Sequence, residues 1–211
     1  MKGLILKDLA IVKTQMRSML IIFAVVMFMM FMGQNTNFVV MYSNILFMMF
    51  GVTTLSYDAF ENGHAFLFTL PVTRKLYVKE KYIFSLGCLL IGFIVSLGVL
   101  GFTAISTKTF DISLAVGYMF AGIIFLSIML PIDFKFGPEK ARVAMILVVL
   151  ILVSTGYTLV EVAKKLDLLK YLGTVPEIGV VALLGMLGLI AVAILFASYK
   201  ISCKIICNKE F

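Results

Sequence analysis

Charge is scarce in this sequence. Asp, Glu, Lys and Arg make up 14% of its 211 residues, where a soluble domain carries about a quarter. So little polar material cannot coat a water-facing globule. Histidine occurs once, at His64, tryptophan is missing, and cysteine occurs three times, at Cys88, Cys203 and Cys207. An odd count with no Cys-x-x-Cys pair and no Cys/His cluster argues against a disulfide framework or a metal site. Cys203 and Cys207 share a helical face and read as free thiols or a lipidation site. There is no Gly-x-x-x-x-Gly-Lys-Ser/Thr run, so the chain has no phosphate cradle for ATP.

What the sequence has is apolar residues, 62% of the total, gathered in long blocks. Blocks of this length specify helices that cross a bilayer, not the short alternating strands of a barrel. The expected fold is therefore all-α, a polytopic bundle forming one transmembrane domain over 1–211. Six spans are predicted, at about 18–33, 38–55, 83–105, 112–130, 143–160 and 178–199. The first block is followed by Gly33-Gln34-Asn35-Thr36-Asn37 and not by a small-residue cleavage site, so it is expected to remain as a span. Ahead of it, Ile5, Leu9, Val12 and Met16 share one face at helical spacing, with Lys7, Thr14 and Arg17 opposite. Residues 1–17 thus read as an interfacial helix. Pro131 is expected to stop or bend the fourth span, and residues 161–177 read as an amphipathic segment on the outer surface.

The formal charge of +7 does not point to nucleic acid, because the basic residues lie in short clusters between apolar blocks. Counted over alternate connections, fourteen Lys and Arg fall on one side and four on the other. The richer set comprises the N-terminal stretch, the loops 56–82 and 131–142, and the C-terminus. The positive-inside rule places that set, with both termini, in the cytoplasm.

Inside the six blocks there is no Asp, Glu, His, Lys or Arg. Proton-coupled carriers and intramembrane hydrolases need titratable groups there, so both classes are disfavoured. Asn44 is the costliest polar residue in a span. It either hydrogen-bonds across a helix interface or lines a substrate path. Met41, Phe47 and Met48 surround it in a Met- and Phe-rich region that suits a surface repacking around varied apolar partners. Gly92/Ser96 and Gly117/Ala121 are small pairs spaced four apart, which permits close helix approach.

The loop 56–82 differs from the other connections. Phe60, Phe66, Leu67 and Leu70 stand in a cytoplasmic connector that has no need of apolar residues, and Pro71 ends one short helix before Thr73 caps the next. Such a helix either fits a groove on a soluble partner or lies flat in the headgroups. The run Leu70-Pro71-Val72-Thr73-Arg74, with Val78 and Lys81-Tyr82 after it and Asp58, Glu61 and Gly63 before it, resembles the first cytoplasmic loop of ABC-2 type transporter permeases. Leu130-Pro131 through Phe136-Gly137-Pro138-Glu139-Lys140-Ala141-Arg142 and the opening Lys7-Asp8-Leu9 are similar to a small six-span bacterial branch, which includes permeases like those exporting phenol-soluble modulins.

The resemblance implies a bacterial plasma-membrane permease subunit of an ATP-driven exporter of amphipathic peptides or other hydrophobic substrates. It also implies that ATP and Mg sit on two copies of a separate ATPase subunit, and that a second permease subunit, identical or not, completes the path through the lipid. Its coupling helix would fall on Asp58–Leu70, with Asp58, Phe60, Glu61, Gly63, His64, Phe66, Leu67 and Leu70 at the ATPase subunit. The rival expectation is a non-transporting membrane anchor or immunity subunit that binds a cytoplasmic partner or peptide through the same loop.

Overall fold

The computed structural model describes residues 2–31, 36–59, 67, 73–107, 112–165 and 177–208. Among them five helices account for nearly everything: α1 (Lys2–Phe31), α2 (Thr36–Ala59), α3 (Arg74–Thr107), α4 (Ile112–Lys165) and α5 (Glu177–Asn208), with no strand. Four stretches, Asn37–Asp58, Arg74–Ala104, Ala115–Val148 and Gly185–Asn208, are long and apolar enough to cross a membrane. The sequence separates an interfacial helix from a first span near Arg17. In the structure one 30-residue helix runs through both. Nothing in that stretch breaks a helix: it holds no Pro, and its only Gly is Gly3, in the first turn.

At 54 residues, α4 would be about 80 Å long if straight, far beyond a hydrocarbon core of roughly 30 Å. It is two arms. Gly137 sits at φ 78°, ψ 174°, a conformation open to glycine and strained for residues with a Cβ, and Pro138 follows it. The arms double back there, because Phe125 from the first and Met145 from the second line one cavity. The described residues therefore form six helical arms.

Pro131 does not end the first arm, which continues helically to Phe136. Proline lacks an N–H, so the carbonyl four residues back, that of Ser127, loses its helical partner. The Ser198 hydroxyl of α5 donates to that carbonyl at 2.6 Å. Tyr82 of α3 then donates to Ser198 at 2.6 Å, and Ser202 to Tyr82 at 2.8 Å. One relay thus joins three helices around the proline, the form of rescue that lets proline persist in membrane helices. Ser198→Ala is expected to lower stability by about 1–3 kcal/mol, read as the unfolding midpoint in detergent. Adding Pro131→Ala returns the missing N–H and should recover much of the loss. A Ser198→Ala protein as stable as the parent would refute the rescue.

Apolar burial drives little association between helices surrounded by lipid, so close packing and polar ties must hold them. The α2–α3 pair has both. Ser43 and Ser96 hydroxyls meet at 2.7 Å, and Asn44 Nδ2 donates to Ser96 Oγ at 2.6 Å and to the Val40 carbonyl at 3.0 Å. A Cβ on Gly92 would lie 2.9 Å from Phe47 Cβ, and one on Gly51 would lie 2.8 Å from Ser85 Cα. The two small-residue pairs differ: Gly92/Ser96 forms this interface, while Gly117 faces open space and Ala121 is exposed.

Candidate functional site

The N-terminal turns of α1 and α3 and the C-terminal turn of α2 meet in a buried ionic cluster. Lys81 lies at its centre, fully buried. Its Nζ reaches Asp8 Oδ2 at 2.6 Å and Asp58 Oδ2 at 2.8 Å, and it lies 5.6 Å from the centre of the Tyr77 ring. An ammonium has three donors; two carboxylates and an aromatic face surround this one. Asp8 is also fully buried and Asp58 nearly so. Lys7, one-third exposed, pairs with Asp58 Oδ1 and approaches Asp8 Oδ1 at 3.5 Å. The Tyr77 hydroxyl donates to Asp58 Oδ2 at 3.0 Å. Two cations and two anions alternate in contact, and a third acid, the buried Glu80, lies beside Asp8 without an ion-pair contact of its own among the described residues.

Local sequence explains why the groups converge. Thr73 Oγ1 accepts the Leu76 N–H at 3.3 Å, and the Tyr77 N–H bonds the Thr73 carbonyl at 3.1 Å, the N-cap geometry that starts α3. Tyr77 and Lys81, four apart, then share a face. Asp58 ends α2 one residue before the connection to α3. The cluster thus ties together the two helix ends from which the intervening loop hangs.

The tie extends further. The Tyr77 ring packs edge-on against Phe134 of α4, centroids 6.1 Å apart. Arg74 Nη1 donates to the Cys207 carbonyl at 2.8 Å, near the C-terminal end of α5, with the Ile206 carbonyl at 3.3 Å. The residues flanking the loop therefore touch each of the five described helices, α4 through its first arm. Of the residues expected to meet an ATPase subunit, Asp58 is inside this cluster, and Leu67 is buried in the main apolar core with Tyr77 and Phe134. Phe60, Glu61, Gly63, His64, Phe66 and Leu70 lie outside the described residues.

Two apolar cavities lie between helices elsewhere in the described bundle. One, of about 580 Å³, lies among α1, α2 and α3 and includes Phe47. The other, of about 420 Å³, lies between α2 and both arms of α4 and is lined by Met41, Asn44 and Met48. Asn44 thus both bridges a helix interface and borders a cavity, and its Oδ1 has no hydrogen-bond partner among the described residues. No group of three or more His, Cys, Asp or Glu among the described residues is placed to hold a metal. Cys88 is buried, Cys203 partly buried and Cys207 exposed, all as free thiols.

Lys7, Asp8, Tyr77 and Lys81 are the functional candidates missed by reasoning from local pattern. Their signal was present in another form, because Lys7-Asp8, Asp58 and Lys81 all belong to the segments that carry the family resemblance. Residues 3–207 match a family model described as ABC-2 family transporter protein. The chain belongs to the ABC-2 transporter family. Comparisons with curated proteins and with solved structures return no match. As an ABC-2 protein it is a membrane component of an ABC transporter, a class whose partner is in general an ABC ATPase. Three separated segments of the ABC-2 pattern, at residues 7–8, 58 and 81, converge on one buried cluster.

Proposed function

We propose that this ABC-2 protein is the permease subunit of an ATP-driven exporter, with six crossings and both termini in the cytoplasm. Two copies of an ATPase subunit and a second permease complete the machine, and its cargo is an amphipathic peptide or another hydrophobic molecule. ATP and Mg act on the partner. This chain's part is mechanical, through the segment 58–70 that hangs from the ionic cluster.

The observation that supports this reading is that the helix ends flanking that segment are tied to each other and to each of the five described helices. A push on a loop hung from flexible ends would be absorbed locally. A push on one anchored by Lys81, Asp8, Asp58 and Tyr77 moves the helix ends together. Coupling then requires only that the segment make different contacts in two states of the ATPase. Asp58 and Leu67 act as positioning residues within the bundle, while Phe60, Glu61, Gly63, His64, Phe66 and Leu70 are proposed to face the partner.

The test is co-purification with an ABC ATPase, followed by ATP turnover with and without amphipathic peptides in reconstituted vesicles. Phe60→Asp and Phe66→Asp are each expected to leave the chain inserted while lowering peptide-stimulated turnover and export at least tenfold. Unchanged export in both variants would overturn the coupling role of the segment. Failure to form any complex with an ATPase would transfer the case to a non-transporting anchor.

A further inference from the structure

The 580 Å³ cavity among α1, α2 and α3 has a chemistry that does not depend on the transport reading. Its lining is almost wholly apolar. The α1 wall is built from two rows. Ile5, Val12 and Met19 turn inward and are partly buried, while Leu9, Met16 and Leu20 form an exposed rim. The opposite wall includes Phe47, Phe84 and Gly87. A volume of this size falls in the range of small-molecule sites, and an acyl chain matches a lining without polar partners.

The rim also carries charge. Lys13 lies four residues from Leu9, beside the rim; Arg17, opposite the Ile5 and Val12 row, meets the rim's outer edge through Leu20 three residues on, so the two cations stand on neighbouring turns along that edge. Both are exposed, and neither has an ion-pair partner among the described residues. Of the acids of the neighbouring cluster, Asp8 and Asp58 are buried and engaged by Lys81 and Lys7, and Glu80 is buried beside Asp8. Lys13 and Arg17 stand where α1 passes from its polar N-terminal turns into its apolar run, the depth at which long basic side chains reach lipid phosphates. An apolar slot with two free cations at its rim matches one amphiphile: apolar tail, anionic head.

We infer that this groove is a binding site for an anionic phospholipid of the leaflet facing the N-terminus of α1. One acyl chain lies in the cavity, and the headgroup phosphate meets Lys13 and Arg17.

The test uses the full chain purified in mixed micelles of phosphatidylglycerol and phosphatidylcholine, with retained lipid counted by native mass spectrometry. Two basic contacts are expected to give roughly 30-fold preference for the anionic lipid. Lys13→Gln with Arg17→Gln should reduce that preference to near parity. Gly87→Phe fills the groove from a position where a Cβ meets nothing within 4 Å, and should lower retention of lipid altogether with both cations in place. Each variant should keep the parent's helical content and lipid-free unfolding midpoint. Equal retention of the two lipids by the parent, preference surviving the double substitution, or retention undiminished by Gly87→Phe would each overturn the assignment. So would efficient disulfide formation between two copies carrying Leu20→Cys, which would place a second chain in the groove.

Discussion

Lys81→Met is expected to be among the most destabilising single changes in the chain, costing about 3–5 kcal/mol. The figure follows from what would remain, not from the strength of the pairs that are lost. With Lys81 removed, Asp8 and Asp58 would be left buried together, with the buried Glu80 beside Asp8. Their remaining cation would be Lys7, which is one-third exposed. Uncompensated buried charge is the costly state, whereas removal of both signs is often tolerated. Asp8→Asn on the Lys81→Met background should therefore restore part of the stability that either change alone takes away. A double-mutant cycle on unfolding midpoints in detergent reads this directly. Additive losses, or a Lys81→Met protein with the parent's stability, would show that the cluster is not an interdependent unit. In a complex reconstituted with an ABC ATPase the double variant separates two roles: recovered folding with depressed coupling is the outcome expected of a mechanical anchor.

Gly51→Val is the second large effect. Even the first added carbon would sit 2.5 Å from Ser85 Oγ, 2.7 Å from Ser85 Cβ and 2.8 Å from Ser85 Cα. The last of these atoms is backbone, so no rotamer change relieves the contact and α2 and α3 must separate. Separation strains the Ser43–Ser96 and Asn44–Ser96 bonds on the same interface. Overpacking of this type typically costs about 1–3 kcal/mol, occasionally more. The gain in helix propensity from replacing glycine is under about 1 kcal/mol, so the clash wins. Ser85→Gly should relieve the change only in part, because Ser85 Cα remains. Full recovery in that double variant, or no loss in Gly51→Val, would contradict the close approach.

The helical class was legible because apolar block length and the shortage of charge are properties of contiguous sequence. Thr73 as a cap and the small pair Gly92/Ser96 were legible for the same reason: each is a short-range pattern. Pro131 shows where such reading stops. Its effect on the helix depends on Ser198, 67 residues later, and local pattern cannot say that a hydroxyl will arrive at the freed carbonyl. The ionic cluster is the stronger case. Lys7 and Lys81 read naturally as topology determinants, since basic residues at the ends of apolar blocks usually are. Whether they are solvated or buried is decided by partners 51 and 73 residues away. Gly51 gave no signal either, because its four-residue neighbours, Phe47 and Leu55, are large.

The serine–proline arrangement also bears on how the molecule is assembled. During synthesis the first arm of α4 emerges well before α5, since domains and their segments are made N-terminus first. Until the stretch containing Ser198 arrives, the Ser127 carbonyl lacks both its helical donor and the hydroxyl that replaces it. The half-made bundle thus carries a polar defect that only the later helix repairs. Completion of the chain is thereby written into its energetics: a nascent chain stalled before α5 keeps an unpaired carbonyl that the finished bundle does not.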